Sequence, residues 1–268
     1  MAFEKMLKFF LVGPFPNGAI GGLLVNIILS FSALAFGFVF GMVLALGRLS
    51  GNPVLSRACT AVIEVCRALP LILIMFWFVL TVPLIAGKPL PALLTAFFAL
   101  ALYSSVNQAE IFRAGISSVQ KGQWLAAKST GLSRFQCMTC VILPQMFRAV
   151  LPSYVGFFIS LFKDTSIVTM VGLIDLTYAG VMVSQRYPGH MFECYALMAV
   201  IFFIICSAAF GRARASRCDF LLWLFPKTFC NKALVVYRLK VRFQWLLLPK
   251  TQPYWIRPTV AYDQRGAV

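Results

Sequence analysis

The sequence predicts an all-α, polytopic membrane bundle of about five transmembrane helices. Three observations carry that reading. The chain is 60% hydrophobic and only 12% charged, its mean hydropathy is +0.85, and long runs of it hold no charge at all. A soluble domain carries roughly 25% charged residues, so water is excluded as the solvent for most of this chain. The formal net charge of +16 fits the same class, because Lys and Arg gather in the cytoplasmic loops of membrane proteins and set their orientation. No basic, aromatic-studded recognition module occurs in residues 1–210, so nucleic acid is not an expected partner.

The elements follow in order. Residues 1–18 form an N-terminal segment. The apolar run after MAFEKMLKFF is too long for a cleaved signal and lacks a small-residue cleavage site. The first span lies in residues 18–47, inside a stretch with no charge between Lys8 and Arg48; about 20 apolar residues suffice to cross a bilayer. Gly37, Gly41 and Ala45 fall at steps of four, the spacing that lets helices approach closely. The second span is residues 68–85, interrupted near its end by Pro83. The third, fourth and fifth are residues 91–108, 149–162 and 192–210. Arg48, Arg57 and Arg67 lie between the first two spans, and Arg113, Lys121, Lys128, Arg134 and Arg148 between the third and fourth. The loop between the second and third offers only Lys88. The positive-inside rule then predicts an outside N-terminus and a cytoplasmic C-terminus.

The longest polar stretch, GQWLAAKSTGLSRFQCMTCVILPQ, therefore faces the cytoplasm as a loop of about residues 113–148. Ala126, Ala127 and Lys128 favour helix, and Gly131 permits a sharp reversal. Leu143-Pro144 is expected to end a second short helix. The two alanines predict a slim surface able to sit in another protein's groove. The chain carries no phosphate loop, no H-E-x-x-H and no nucleophile beside a His, so no catalytic residue is expected and the loop reads as a docking element. Cys137-x-x-Cys140 lacks a second Cys or His pair, and no metal site is predicted.

Polar residues inside apolar segments are costly and mark function or helix pairing. Glu64 and Arg67, three apart, share a helix face and predict either an orienting ion pair or a direct gating role on the translocation path. Asn107, Gln108 and Glu110 at the end of the third span predict interhelical hydrogen bonds. Lys163, Asp164, Thr165 and Ser166 follow the fourth span and must face protein or a water-filled cavity. They are either a structural helix break or part of a translocation path, in which Lys163 would attract the carboxylate of an acidic substrate.

The loop resembles the "EAA" loop of bacterial ABC importer membrane subunits. That pattern is Glu-Ala-Ala, three residues, Gly, about nine residues, an aliphatic, one residue and Leu-Pro. This chain gives Leu125-Ala126-Ala127, Gly131, Val141 and Leu143-Pro144, with Gln123 just before the triplet. GGLLVNIILSFSALAFGFVFGMVLALGRLS, VIEVCRALPLILIMFWFVL, YSSVNQAEIFRAGISSVQKGQW and ILPQMFRAVLPSYVGFFISLFKDTSIV are similar to successive spans of polar amino-acid permeases of the glutamate/aspartate type. The resemblance covers about residues 19–210 and implies a type I ABC importer transmembrane domain in the bacterial cytoplasmic (inner) membrane. It further implies two ATPase subunits carrying ATP and Mg on themselves, a second like or related permease subunit, and a periplasmic or lipid-anchored solute-binding protein. No cofactor is then expected on this chain. Leu125 departs from the usual Glu.

Residues 211–268 form a basic tail holding 11 of the 24 Lys and Arg. It matches no permease ending, and it reads either as the product of a shifted reading frame after Ala209 or as an extension on the anionic membrane surface. Two other functions compete with the importer. A secondary transporter would show internal repeats with midplane carboxylates, and a structural scaffold would leave the polar cluster at Lys163 without a role.

Overall fold

Proline, glycine and a few polar caps cut the apolar sequence into helices, and the computed structural model describes residues 2–14 and 20–215 of them. A short N-terminal helix, α1 (Ala2–Val12), precedes the long α2 (Gly22–Arg48). Asn52 caps α3 (Pro53–Ala68) by accepting from Val54 N, with Pro53 pre-set for the first helical turn. After Leu69 and Pro70 the chain turns sharply into α4 (Leu71–Ala86), at 102° to α3. Helix α5 (Ala92–Ser118) follows, then α6 (Lys121–Ser129) and the one-turn α7 (Arg134–Gln136). A π-helical stretch, Cys137–Ile142, joins α7 to α8 (Leu143–Asp164), which tightens into a 3₁₀ segment at Thr165–Val171. Helix α9 (Leu176–Arg186) and α10 (Met191–Ala215) complete the described chain.

Among the described residues, four helical stretches are long and apolar enough to cross a membrane: Gly22–Arg48, Ala92–Ser118, Arg134–Val171 and Met191–Gly211. The bent pair α3–α4 makes a fifth if counted as one span. The predicted second span is corrected by this break. It does not begin at residue 68 as one helix, because Pro70 removes a ladder donor and pushes Leu69 to extended backbone (ψ 133°). Pro83, expected to interrupt the span, sits within the last turn of α4, which Gly87 closes. The predicted third span runs ten residues further than expected, to Ser118. Helix α9 was not foreseen at all. Of the expected tail, residues 216–268 lie outside the described residues.

The most extensive packing joins α2 to α5. Gly37, Gly41 and Ala45 are all buried in it, as their spacing predicted. A Cβ at Gly41 would stand 2.8 Å from Ser105 O, and one at Gly37 would stand 2.4 Å from Gln108 Nε2, so close helix approach needs glycine at both. One apolar cluster combines Leu29 and Ala33 of α2, Ile74 and Met75 of α4, and Ala99 and Leu100 of α5. A second lies around Phe112, Ile116, Ile142 and Met146, where α5 meets the start of α8. A third draws the N-terminal segment into the bundle, with Phe10 fully buried beside Leu23, Phe162 and Leu176.

Candidate functional site

The polar loop is a built hairpin. Helix α6 ends at Ser129 with Thr130 as its C-cap, and Gly131 adopts φ +78°, a left-handed conformation that favours glycine. Gly131 N donates to Lys128 O at 3.0 Å. The chain restarts at a capping box. Ser133 Oγ accepts from Gln136 N, and Gln136 Oε1 accepts from Ser133 N at 2.9 Å. Two of the orphan donors at that helix start are satisfied. Gln145 Nε2 donates to Gln123 Oε1 across the hairpin (3.4 Å) and to Val141 O (2.9 Å).

Two expectations for this loop are corrected. Leu143 and Pro144 do not end a helix. They open α8, and the helical path runs unbroken from Arg134 to Val171. The π-helical widening at Cys137–Ile142 gives the proline ring room against the preceding turn. The slim surface is also divided. Ala127 is 1% exposed and serves packing within the chain, with Trp124 against the second cluster, whereas Ala126 and Leu125 face outward.

The second candidate region is the polar break after α8. Thr165 is buried and committed: its Oγ1 accepts from Asn26 Nδ2 (2.9 Å) and donates to Phe162 O (2.7 Å). Asn26, fully buried on α2, also donates weakly to Asp175 Oδ2 (3.5 Å) and accepts from Leu176 N (3.0 Å). Asp175 caps α9 through Tyr178 N (2.8 Å) and accepts from Thr169 Oγ1 (2.6 Å). A polar knot thus ties α2, the 3₁₀ segment and α9 together, with its buried groups mutually satisfied. Against it, Lys163 is exposed and Asp164 and Ser166 half-buried. Neither Lys163 nor Asp164 forms an ion pair among the described residues. Asn26 was readable as the lone amide in the first apolar span, and sequence reasoning passed over it.

Charged residues assemble differently from the expected Glu64–Arg67 pair. Glu110 is the hub. It takes Arg48 at 2.9 Å, Arg67 at 3.7 Å and Arg113 of its own helix. Glu64 pairs with Arg48 at 3.1 Å. The arrangement joins α2, α3 and α5, so Arg48, counted only as an orienting charge, is a bridging residue. Gln108 does bond between helices, donating to Leu34 O of α2 (3.1 Å) and to Ser104 Oγ (2.8 Å). Asn107 bonds Tyr103 O of its own helix instead.

Residues 37–215 match the family described as the inner membrane component of binding-protein-dependent transport systems. The chain belongs to that family. It is 35% identical over 186 residues to the probable glutamine ABC transporter permease protein GlnP of Bacillus subtilis (strain 168), covering 69% of this chain and 85% of that one. It is 31% identical over 195 residues to the glutamate/aspartate import permease protein GltK of Escherichia coli O157:H7, covering 70% and 87%. Among solved structures, an amino acid ABC transporter crystallised with histidines superposes with TM-score 0.71 at 29% identity, over 81% of this chain and 96% of that chain. The MetNI methionine ABC transporter, at 18% identity and TM-score 0.61, shares the fold. The protein is therefore a membrane permease subunit of an amino-acid ABC importer, a transport component of a family that keeps ATP hydrolysis on separate subunits. An ion-gradient-driven transporter and a passive scaffold are both set aside. The family match runs to residue 215, six residues past Ala209.

Proposed function

We propose that the chain forms one half of a translocation path for polar, acidic amino acids, and that its hairpin couples that path to ATPase subunits. The observation that carries the substrate reading is the contrast at the end of α8. Thr165 is locked into the knot with Asn26 and Asp175, while the adjacent Lys163 and Asp164 lack ion-pair partners among the described residues. A cation and a carboxylate side by side are matched to the two charged ends of an amino acid, and Lys163 supplies the attraction for an added side-chain carboxylate. Glu64, Arg67 and Gln108 play supporting roles, holding α2, α3 and α5 around the path, while Asn107 bonds within α5.

In this reading the N-terminus is outside and the C-terminus cytoplasmic, because Arg48, Arg57, Lys121, Lys128, Arg134 and Arg148 then face the cytoplasm. Two ATPase subunits dock on the hairpins of this chain and of a second like or related permease subunit, and ATP and Mg bind on the ATPases. A solute-binding protein delivers substrate from outside. Closure of the ATPase pair pulls the hairpin, and α5 and α8, which flank it, carry the movement into the membrane body. Uptake of radiolabelled glutamate into proteoliposomes tests the substrate reading. Lys163→Met is expected to lower uptake at least about tenfold, the scale of one lost charge-assisted hydrogen bond, with ATPase assembly intact. Loss of assembly instead makes Lys163 structural and ends the route-lining reading.

A further inference from the structure

Leu125 stands where the family pattern places a carboxylate, and its surroundings define what replaces that charge. Lys121, Leu125 and Lys128 lie at i, i+4 and i+7 of α6, so they form one stripe along the helix. All three are exposed, Leu125 to 67%. Beyond the Gly131 turn, Arg134 is exposed and Phe135 is 76% exposed. Between Glu110 and Asp164 the sequence contains six Lys or Arg and not one Asp or Glu. The hairpin therefore presents two apolar knobs flanked by cations only.

The helices that flank the hairpin are long enough to carry it clear of a bilayer. Helix α5 has 27 residues and the stretch Arg134–Val171 has 38, about 40 and about 57 Å at helical rise. The hydrocarbon core is about 30 Å thick, so both helices have the length to hold the stripe out where a protein partner, rather than lipid, meets it. A partner with a basic face would be repelled from this surface.

We propose that the ATPase subunit docking here carries a groove with an apolar floor, which receives Leu125 with Phe135 beside it, and a rim of Asp and Glu that meets Lys121, Lys128 and Arg134. The inference rests on the hairpin being the ATPase docking element, and it adds the chemistry of the groove. That chemistry restricts the chain to ATPases with this rim and excludes those whose groove holds a cation for a permease carboxylate.

The test uses the tagged full chain, expressed in its native host and purified in detergent with the ATPase subunit it retains, quantified by mass spectrometry. Leu125→Glu and the double change Lys121→Glu/Lys128→Glu are each expected to lower retention at least about tenfold, the range seen when one side of a complementary charged interface is reversed. Retention by the unaltered chain should weaken at high salt. Carbodiimide, which joins amines directly to carboxylates, should link Lys121 or Lys128 to Asp or Glu of the ATPase. All three substituted positions are exposed, so an unchanged melting temperature separates a docking defect from a folding defect. Unchanged or stronger retention by Leu125→Glu overturns the proposal, as does indifference to the double charge reversal. A requirement for added anionic lipid with no carbodiimide link to the ATPase assigns the stripe to the membrane surface and also overturns it. An unaltered chain that retains no ATPase at all fails the docking reading itself.

Discussion

Replacing Gly131 with valine isolates the contribution of a single backbone angle. Gly131 has φ +78°, and a Cβ built there meets nothing within 4 Å, so the substitution introduces conformational strain without collision. A left-handed conformation costs an L-residue about 1–2 kcal/mol, and a β-branched side chain sits at the upper end of that range. Local compensation is absent, because the Ser133 capping box lies downstream and the Gln123–Gln145 bond lies across the hairpin. A strain of about 1–2 kcal/mol shifts the balance between formed and unformed turn by a factor of about 5–30. The assay is the number of ATP molecules hydrolysed per amino acid imported, in proteoliposomes at equal protein abundance. Gly131→Val should raise that ratio about fivefold or more, while recognition by the solute-binding protein is retained. Gly131→Asn, whose short amide tolerates the left-handed region, should fall much closer to the unaltered chain. Wild-type coupling in Gly131→Val refutes the reasoning. So does equal damage from Asn and Val, since the loss would then not follow φ.

Asn26→Leu should destabilise the purified chain by about 2 kcal/mol or more, because Thr165, Asp175 and Leu176 N all lose a buried partner. For a chain of this size that is about 4–8 °C in Tm, and a change below about 1 °C would show that the knot holds nothing together. Gly41→Ala should be more damaging than Gly37→Ala, since the new methyl at 41 meets the backbone oxygen of Ser105 while at 37 it meets the side chains of Gln108 and Ser104. The yield of monodisperse protein measures this, and the reverse order would contradict the packing argument.

Much of this architecture is written in the sequence because the bilayer simplifies the code. Uncharged runs reported the spans ending near Arg48 and Phe210 but stopped the third at residue 108, short of Ser118, and the four-residue spacing of Gly37, Gly41 and Ala45 reported the face that α2 turns to α5. The turn at Gly131 was equally visible, because glycine between helix formers has a local cause. What escaped was decided over distance. Glu64 and Arg67 share a helix face, yet each has its partner on another helix, which spacing along one segment cannot reveal. Pro144 looked like a stop because proline usually is one, and only the π-helical widening before it lets the helix pass. Pro70 was read as part of an apolar run although it marks a break of 102°. Helix α9 is short and capped by a single Asp175, and its amphipathic pattern was too brief to stand out among flanking apolar segments.

The three guanidiniums gathered on Glu110 are not held equally, and the inequality tells how the bundle comes apart. Arg113 belongs to the same helix as Glu110 and binds one carboxylate oxygen through two nitrogens. Arg48 grips the other oxygen at 2.9 Å, while Arg67 reaches that same oxygen only at 3.7 Å and is the most solvated of the three. Helices α2 and α5, already locked by their glycine seam, therefore travel as one stave. Helix α3 is tied to it by Glu64, paired with Arg48 at 3.1 Å, and by the slack reach of Arg67, with Ile63 as its single buried side chain and an elbow at Pro70 immediately beyond. Of the two ion pairs that hold α3 to the bundle among the described residues, that of Arg67 is the one most easily released.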